Sequence, residues 1–172
     1  MASAAGVIPT DREAFVARFG SVVEHSPWVA DQAFDDGPFG SAAEVHAAMA
    51  TRLMAAPREA QLTVLNAHPE LAAERAIPRE SLTAESRSEQ AGAGLDRLSD
   101  ERRVALAAQL DAYRRRFGFP FIVCVREHGS SALEGLVHER VVNDPEAELA
   151  TALAEVSAIA YHRIVDLVEG EA

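Results

Sequence analysis

Residues 143–170 read NDPEAELATALAEVSAIAYHRIVDLVEG, and this stretch decides the fold class. Its first three residues are a typical helix start, because Asn and Asp cap a first turn and proline is tolerated at the first helical position. Gly170 is a typical stop. Between these signals, apolar residues recur every three or four positions, at Leu149, Leu153, Val156, Ala160 and Leu167. The stretch therefore predicts one long helix whose apolar stripe faces a core of other helices.

Similar start and stop signals recur along the rest of the chain. Capping boxes are predicted at Thr10 with Glu13 and at Ser41 with Glu44. Further helices are predicted over residues 27–34, 58–67, 83–98, 100–116 and 132–142. Only residues 119–125 suggest a strand, and Pro120 leaves a buried extended segment and a helical turn both open. We therefore expect an all-α, compact single-domain bundle of roughly seven to nine helices over residues 1–172.

Composition narrows the classes of function. The formal net charge of −11 argues against a nucleic-acid surface, because Lys and Arg drive phosphate binding. The longest purely apolar run, residues 119–125, is far too short to span a bilayer. Cys124 is the single cysteine, so no disulfide within the chain is possible, and no basic, apolar leader precedes the first helix. We expect a cytoplasmic protein with no nucleic-acid or membrane partner.

Arg163 breaks the pattern of the last helix, because it completes the apolar series between Ala160 and Leu167. A guanidinium on such a stripe keeps its charge, so it needs a buried carboxylate or an anionic ligand. The alternative is an arginine at the edge of the stripe that extends its charged end into water.

Two other places break the local pattern. Ser86, Glu89 and Gln90 share one face of the helix predicted over residues 83–98, where they either line a site or form an ordinary solvated face. His68 precedes Pro69 at a predicted helix end, which would hold an imidazole rigidly for acid–base chemistry. A structural histidine is the alternative. The six histidines show no metal-ligand spacing, so no metal site is expected.

Together these segments resemble the 2-oxo-4-hydroxy-4-carboxy-5-ureidoimidazoline (OHCU) decarboxylase family over about residues 10–168. The resemblance is carried by LNAHPELA at 65–72, by Ser86, Glu89 and Gln90, by FGFPFIVCVR at 117–126, and by Ile159 with Arg163. The family commonly has aspartate where this chain has Glu70.

The resemblance implies a carboxy-lyase of urate and purine degradation that converts a ureidoimidazoline to (S)-allantoin and CO2. It implies that no metal or organic cofactor is needed. Members of the family are often homodimers, so a homodimer is also expected. It places His68, Glu89 and Arg163 in catalysis. Substrate contacts would come from Pro69, Ser86, Gln90 and the backbone of Phe121, Ile122, Val123, Cys124 and Val125. Two alternatives stay open: a non-catalytic helical binding or adaptor module, and an enzyme acting on a related ureide.

Overall fold

The computed structural model describes residues 6–69 and 99–170. These residues form eight α-helices: α1 Arg12–Phe19, α2 Trp28–Ala33, α3 Ala42–Ala55, α4 Arg58–Ala67, α5 Asp100–Phe117, α6 Val125–His128, α7 Leu133–Arg140 and α8 Pro145–Glu169. Short 3₁₀ turns lie at Phe34–Asp36 and Ser130–Ala132. No β-strand occurs among the described residues, which confirms the all-α prediction.

The predicted signals set the ends of the two longest helices. Asp144 accepts hydrogen bonds from the backbone N–H groups of Glu146 and Ala147 at the start of α8, at 3.0 and 3.3 Å. Ser99 accepts one from the N–H of Arg102 at the start of α5. Gly118 ends α5 with a φ of +80°, in the left-handed region that favours glycine.

Some predicted boundaries were wrong. Asp11, not Thr10, caps α1, and its Oδ1 accepts from the N–H of Ala14 at 2.9 Å. Both residue types cap helices, and the local pattern did not choose between neighbours. The helix predicted over 132–142 is shorter, at Leu133–Arg140. The one predicted over 83–98 lies outside the described residues.

The described residues fall into two compact units. The first comprises the chain up to Ala67 together with the residues from Val156 onward. It contains α1 to α4 and the second half of α8, and α2 packs against both α1 and α3. Its core is apolar and almost fully buried, with Phe15, Phe19, Val45, Met49, Leu53, Leu65 and Ile164 at its centre.

The second unit comprises the described residues between His68 and Glu155. It contains α5, α6, α7 and the first half of α8, with α5 packed against α7. Residues 119–124, between α5 and α6, belong to no helix, and their side chains are buried. The apolar run is therefore a buried non-helical segment followed by a helical turn at α6. Tyr113 packs its ring against Phe117, Phe119 and Phe121 in this core.

Candidate functional site

His68 directly follows the last residue of α4. The end of α4 is anchored by Val64 and Leu65, which are fully buried, and the His68 side chain is itself buried at 7% exposure. Pro69 follows and donates no backbone hydrogen bond. The predicted placement at a helix end is confirmed. Burying a polar imidazole costs free energy unless its nitrogens form hydrogen bonds.

Arg163 is buried on α8. Its Nη1 donates to the backbone oxygen of Val22 at 3.0 Å, and its Nη2 donates to the Glu24 carboxylate at 3.3 Å. The side chains of both Arg163 and Glu24 are only 2% exposed, which excludes an arginine that extends into water. A buried carboxylate is therefore one partner of this guanidinium.

The loop between α1 and α2 brings Glu24 to Arg163. Val22 and Val23, which directly precede Glu24, bury their side chains, and the Ser26 hydroxyl donates to the Glu24 backbone oxygen at 2.9 Å. His25 adopts a left-handed φ of +48°, which a non-glycine residue rarely adopts. This tight turn places the Glu24 carboxylate inside the first unit, next to the buried Arg163. Glu24 was missed by sequence reasoning, and the only available signal was a charge directly after two valines.

A buried polar network lies beside residues 119–124. Arg140 on α7 donates to Glu148 on α8 at 2.8 Å (Nε) and 2.6 Å (Nη2), and to the backbone oxygen of Ile122 at 2.7 Å. Tyr113 also donates to Glu148. Burial raises the pKa of the Tyr113 phenol, and its bond to Glu148 raises it further, so the hydroxyl stays protonated as a donor. The network fixes one end of the segment 121–125.

Glu155, two turns further along α8, holds the other end. Its Oε2 accepts from the backbone N–H of Cys124 at 2.6 Å, and its Oε1 accepts from His128 Nε2 at 2.8 Å. Arg140, Glu148 and Glu155 were not picked out from the sequence.

Cys124 contributes a buried, free thiol to the second unit. Burial raises its pKa to about 11, so the thiol is protonated near neutral pH. This agrees with a structural side chain at a position whose backbone is predicted to contact the ligand.

Three predicted site residues, Ser86, Glu89 and Gln90, lie outside the described residues. The predicted meeting of His68, Glu89 and Arg163 around one substrate therefore stays a prediction. An open groove of about 680 Å³ runs along α4, and the side chains that line it are Arg58, Glu59, Leu62, Thr63, Asn66 and Ala67. None of the predicted site residues lines this groove.

No helix among the residues described is long and apolar enough to cross a bilayer. Even α8, the longest, carries several carboxylates along its length.

Comparison with known proteins gives a consistent result. The sequence profile described as OHCU decarboxylase matches residues 9–165. The 2-oxo-4-hydroxy-4-carboxy-5-ureidoimidazoline decarboxylase of Haloferax volcanii is 38% identical over 161 residues, covering 94% of this chain and 93% of that protein. The protein of the same name from Mus musculus is 37% identical over 153 residues, covering 89% and 85%. The crystal structure of (S)-allantoin synthase superposes with a TM-score of 0.73 at 25% identity, covering 92% of this chain and 50% of that one. The chain therefore belongs to the OHCU decarboxylase family.

Proposed function

We propose that this protein decarboxylates 2-oxo-4-hydroxy-4-carboxy-5-ureidoimidazoline to (S)-allantoin and CO2 in urate degradation. The observation that carries the proposal is the family match over residues 9–165, which includes both His68 and Arg163. A relative of that name, from Haloferax volcanii, is matched over 93% of its length.

The chemistry needs an electron sink and controlled protonation. When the bond between the ring carbon and the carboxylate breaks, CO2 leaves and the electron pair moves into the conjugated ring imine, whose nitrogen takes a proton from solvent. The resulting ring enol loses its hydroxyl proton as the product carbonyl forms, and the carbon that bears the ureido group gains a proton. Since the substrate supplies its own sink, we propose that no organic cofactor or metal takes part.

We propose that His68 takes the hydroxyl proton and Arg163 binds an anionic or carbonyl oxygen of the substrate. Glu89 would fix the imidazole tautomer or bond the same hydroxyl. Ser86 and Gln90 would bind the ureido and ring amides, beside Pro69 and the backbone of residues 121–125. Burial of the His68 and Arg163 side chains supports these roles, because hydrogen bonds to a substrate are stronger where water is excluded.

A coupled assay tests the proposal. Urate oxidase and the hydrolase that follows it would generate the unstable substrate in place, and (S)-allantoin would be followed by circular dichroism. Protonation of the planar enol without an enzyme favours neither face, so spontaneous decay gives no circular dichroism signal. We expect a signal whose rate rises in proportion to enzyme concentration. Product without optical activity, or a hydrolysed ureide with no CO2 released, would reject the proposal.

His68→Asn tests the catalytic assignment. We expect kcat to fall at least about 10²-fold, the lower range for a general acid–base group. The matched control is His138→Asn, because His138 is exposed on α7. A folded His68→Asn protein with wild-type turnover would reject the role of His68.

We also propose that the chain folds as one domain and acts as a cytoplasmic homodimer. One calorimetric unfolding transition and a dimer mass by light scattering are the expected results. Two separate transitions, or a monomer at assay concentrations, would contradict them.

A further inference from the structure

Residues 119–124 present an unusual problem for a helical protein. Their side chains are buried, yet among the described residues no strand pairs their backbone, and α6 bonds only the Cys124 oxygen at the end of the segment. Buried backbone N–H and C=O groups need hydrogen-bond partners, because leaving them unpaired costs about 1–3 kcal/mol each. Side chains must therefore supply part of what a neighbouring strand would supply.

Two side-chain contacts fix the peptide groups on both sides of Val123. The Ile122 oxygen accepts from Arg140 at 2.7 Å, and the Cys124 N–H donates to Glu155 at 2.6 Å. A peptide group is planar and trans, so its N–H and C=O point in opposite directions. Holding the Ile122 oxygen thus directs the Val123 N–H away from Arg140. Holding the Cys124 N–H directs the Val123 oxygen away from Glu155.

Residues of α8 hold both contacts in place. Glu148 and Glu155 are seven positions apart, about two helical turns, and so lie on the same side of α8. Glu148 fixes Arg140 through two hydrogen bonds. Glu155 is fixed from the other direction by His128, which lies on the helix directly after the segment.

The segment still has donors to offer. Within the part of the chain that is described, the backbone N–H groups of Phe121, Ile122 and Val123 donate to no acceptor. The Cys124 N–H is already bound to Glu155, and the Cys124 oxygen accepts from Glu127 and His128. Among these residues, the Val123 N–H and oxygen are the backbone pair whose directions the side chains fix.

We propose that Glu155 is a positioning residue, which orients the Val123–Cys124 peptide so that Val123 binds an amide-like N–H/C=O edge of the substrate. The inference rests on the proposed function, in which the backbone of residues 121–125 contacts a ureidoimidazoline. Such a substrate carries a ring amide and a ureido group, each with a donor and an acceptor. Glu155 touches the peptide and not the reacting atoms, so it acts by orientation.

Three substitutions of one residue test the role. Glu155→Ala removes the acceptor, and we expect kcat/KM to fall at least about 10-fold, toward the roughly 10²-fold cost of a 1 Å misplacement. Glu155→Gln keeps an oxygen that accepts the Cys124 N–H, so the peptide keeps its orientation although the neutral bond is about half as strong. We therefore expect kcat/KM to stay within about 3-fold of wild type. Should Glu155→Ala not fold, Glu155→Asp, shorter by one methylene, should lose activity in its place. Glu139→Ala, an exposed carboxylate on α7, is the control and should change nothing.

Amide hydrogen exchange at Cys124, measured by NMR, reports whether the Cys124 N–H is held in a hydrogen bond, which an activity assay does not show. Exchange should accelerate in Glu155→Ala and stay slow in Glu155→Gln, each compared at a temperature well below its own Tm. A purely structural role would lower Tm and leave kcat/KM unchanged, which would overturn the proposal. Equal losses in Glu155→Gln and Glu155→Ala would also overturn it, because charge and not orientation would then matter. An inactive wild-type enzyme would instead reject the proposed function, and the Cys124 exchange rates would still report whether Glu155 holds that peptide.

Discussion

Arg163 donates a hydrogen bond to Glu24 at 3.3 Å, and both side chains are 2% exposed. The guanidinium also donates to the Val22 backbone oxygen at 3.0 Å. The carboxylate offsets the cost of burying the charge, and the two fixed bonds orient the planar group. Within the proposed function, this makes Arg163 a rigid donor for a substrate oxygen.

The first prediction concerns the planar shape of this donor. Arg163→Lys keeps the positive charge and loses the fork, so the ammonium cannot hold Val22, Glu24 and a substrate oxygen in the same geometry. We expect kcat/KM to fall at least about 10-fold in the coupled assay. The control is Arg102→Lys, because Arg102 pairs with Glu134 on the surface. Unchanged kinetics for Arg163→Lys would place Arg163 outside the substrate pocket.

The second prediction concerns the stability of the pair. Glu24→Ala leaves a buried guanidinium without this carboxylate, and breaking a buried pair from one side costs about 3–5 kcal/mol. We expect the free energy of unfolding in urea to fall by that amount. Glu13→Ala, at an exposed site in the first turn of α1, should cost less than about 1 kcal/mol. Equal effects of the two substitutions would show that the Glu24–Arg163 bond contributes little to stability.

Helix ends were predictable because their signals are local. Ser99 and Gly118 lie next to the backbone groups that they cap, so residue type and position were sufficient. Residues 119–125 were not settled in this way. Their apolar side chains fit a strand or a helical turn, and the choice depends on Arg140 and Glu155, which lie far along the chain.

The same distinction separates the site residues that the sequence revealed from those that it did not. Arg163 was visible because it interrupts an apolar stripe on its own helix. Glu24 was not, because its partner lies 139 positions away. Glu148 precedes the apolar Leu149 and resembles a residue at the solvated edge of α8. In the structure Ala152 and Ile159 are also buried, which widens the buried face of α8 toward Glu148 and Glu155.

The third prediction concerns pH. His46 on α3 is partly buried, and its Nε2 bonds the oxygen of Ser157 at 3.0 Å. Burial lowers the pKa of His46 below its ordinary value of 6.5, and the bond to Ser157 offsets this only in part. Below pH 6.5 the unfolded chain therefore binds a proton at this residue before the folded chain does, so the free energy of unfolding falls as pH falls. At higher pH the residue is neutral in both states, so it does not change the free energy of unfolding with pH.

Comparison with His46→Gln separates the contribution of His46 to this pH dependence from that of the other histidines, because glutamine can donate to Ser157 and does not titrate. Between about pH 8 and about pH 5.5, the wild type should lose more stability in urea than the variant. Parallel curves would mean that His46 titrates alike in the folded and unfolded states.

The fourth prediction concerns the thiol of Cys124, which is 2% exposed. Burial raises its pKa to about 11, from an ordinary value of 9.0. At pH 8 the thiolate fraction is then about one in a thousand in place of about one in ten, so ionisation alone slows its reactions about 100-fold. We expect a disulfide reagent that reports by colour to label the folded protein at least that much more slowly than the urea-unfolded protein. The unfolded chain should take up one equivalent, since Cys124 is the single cysteine, and Cys124→Ala is the blank. Labelling of the folded protein at the rate of the unfolded protein would show that α6 and the segment before it open readily. Such a segment would not hold the Val123 peptide in one orientation.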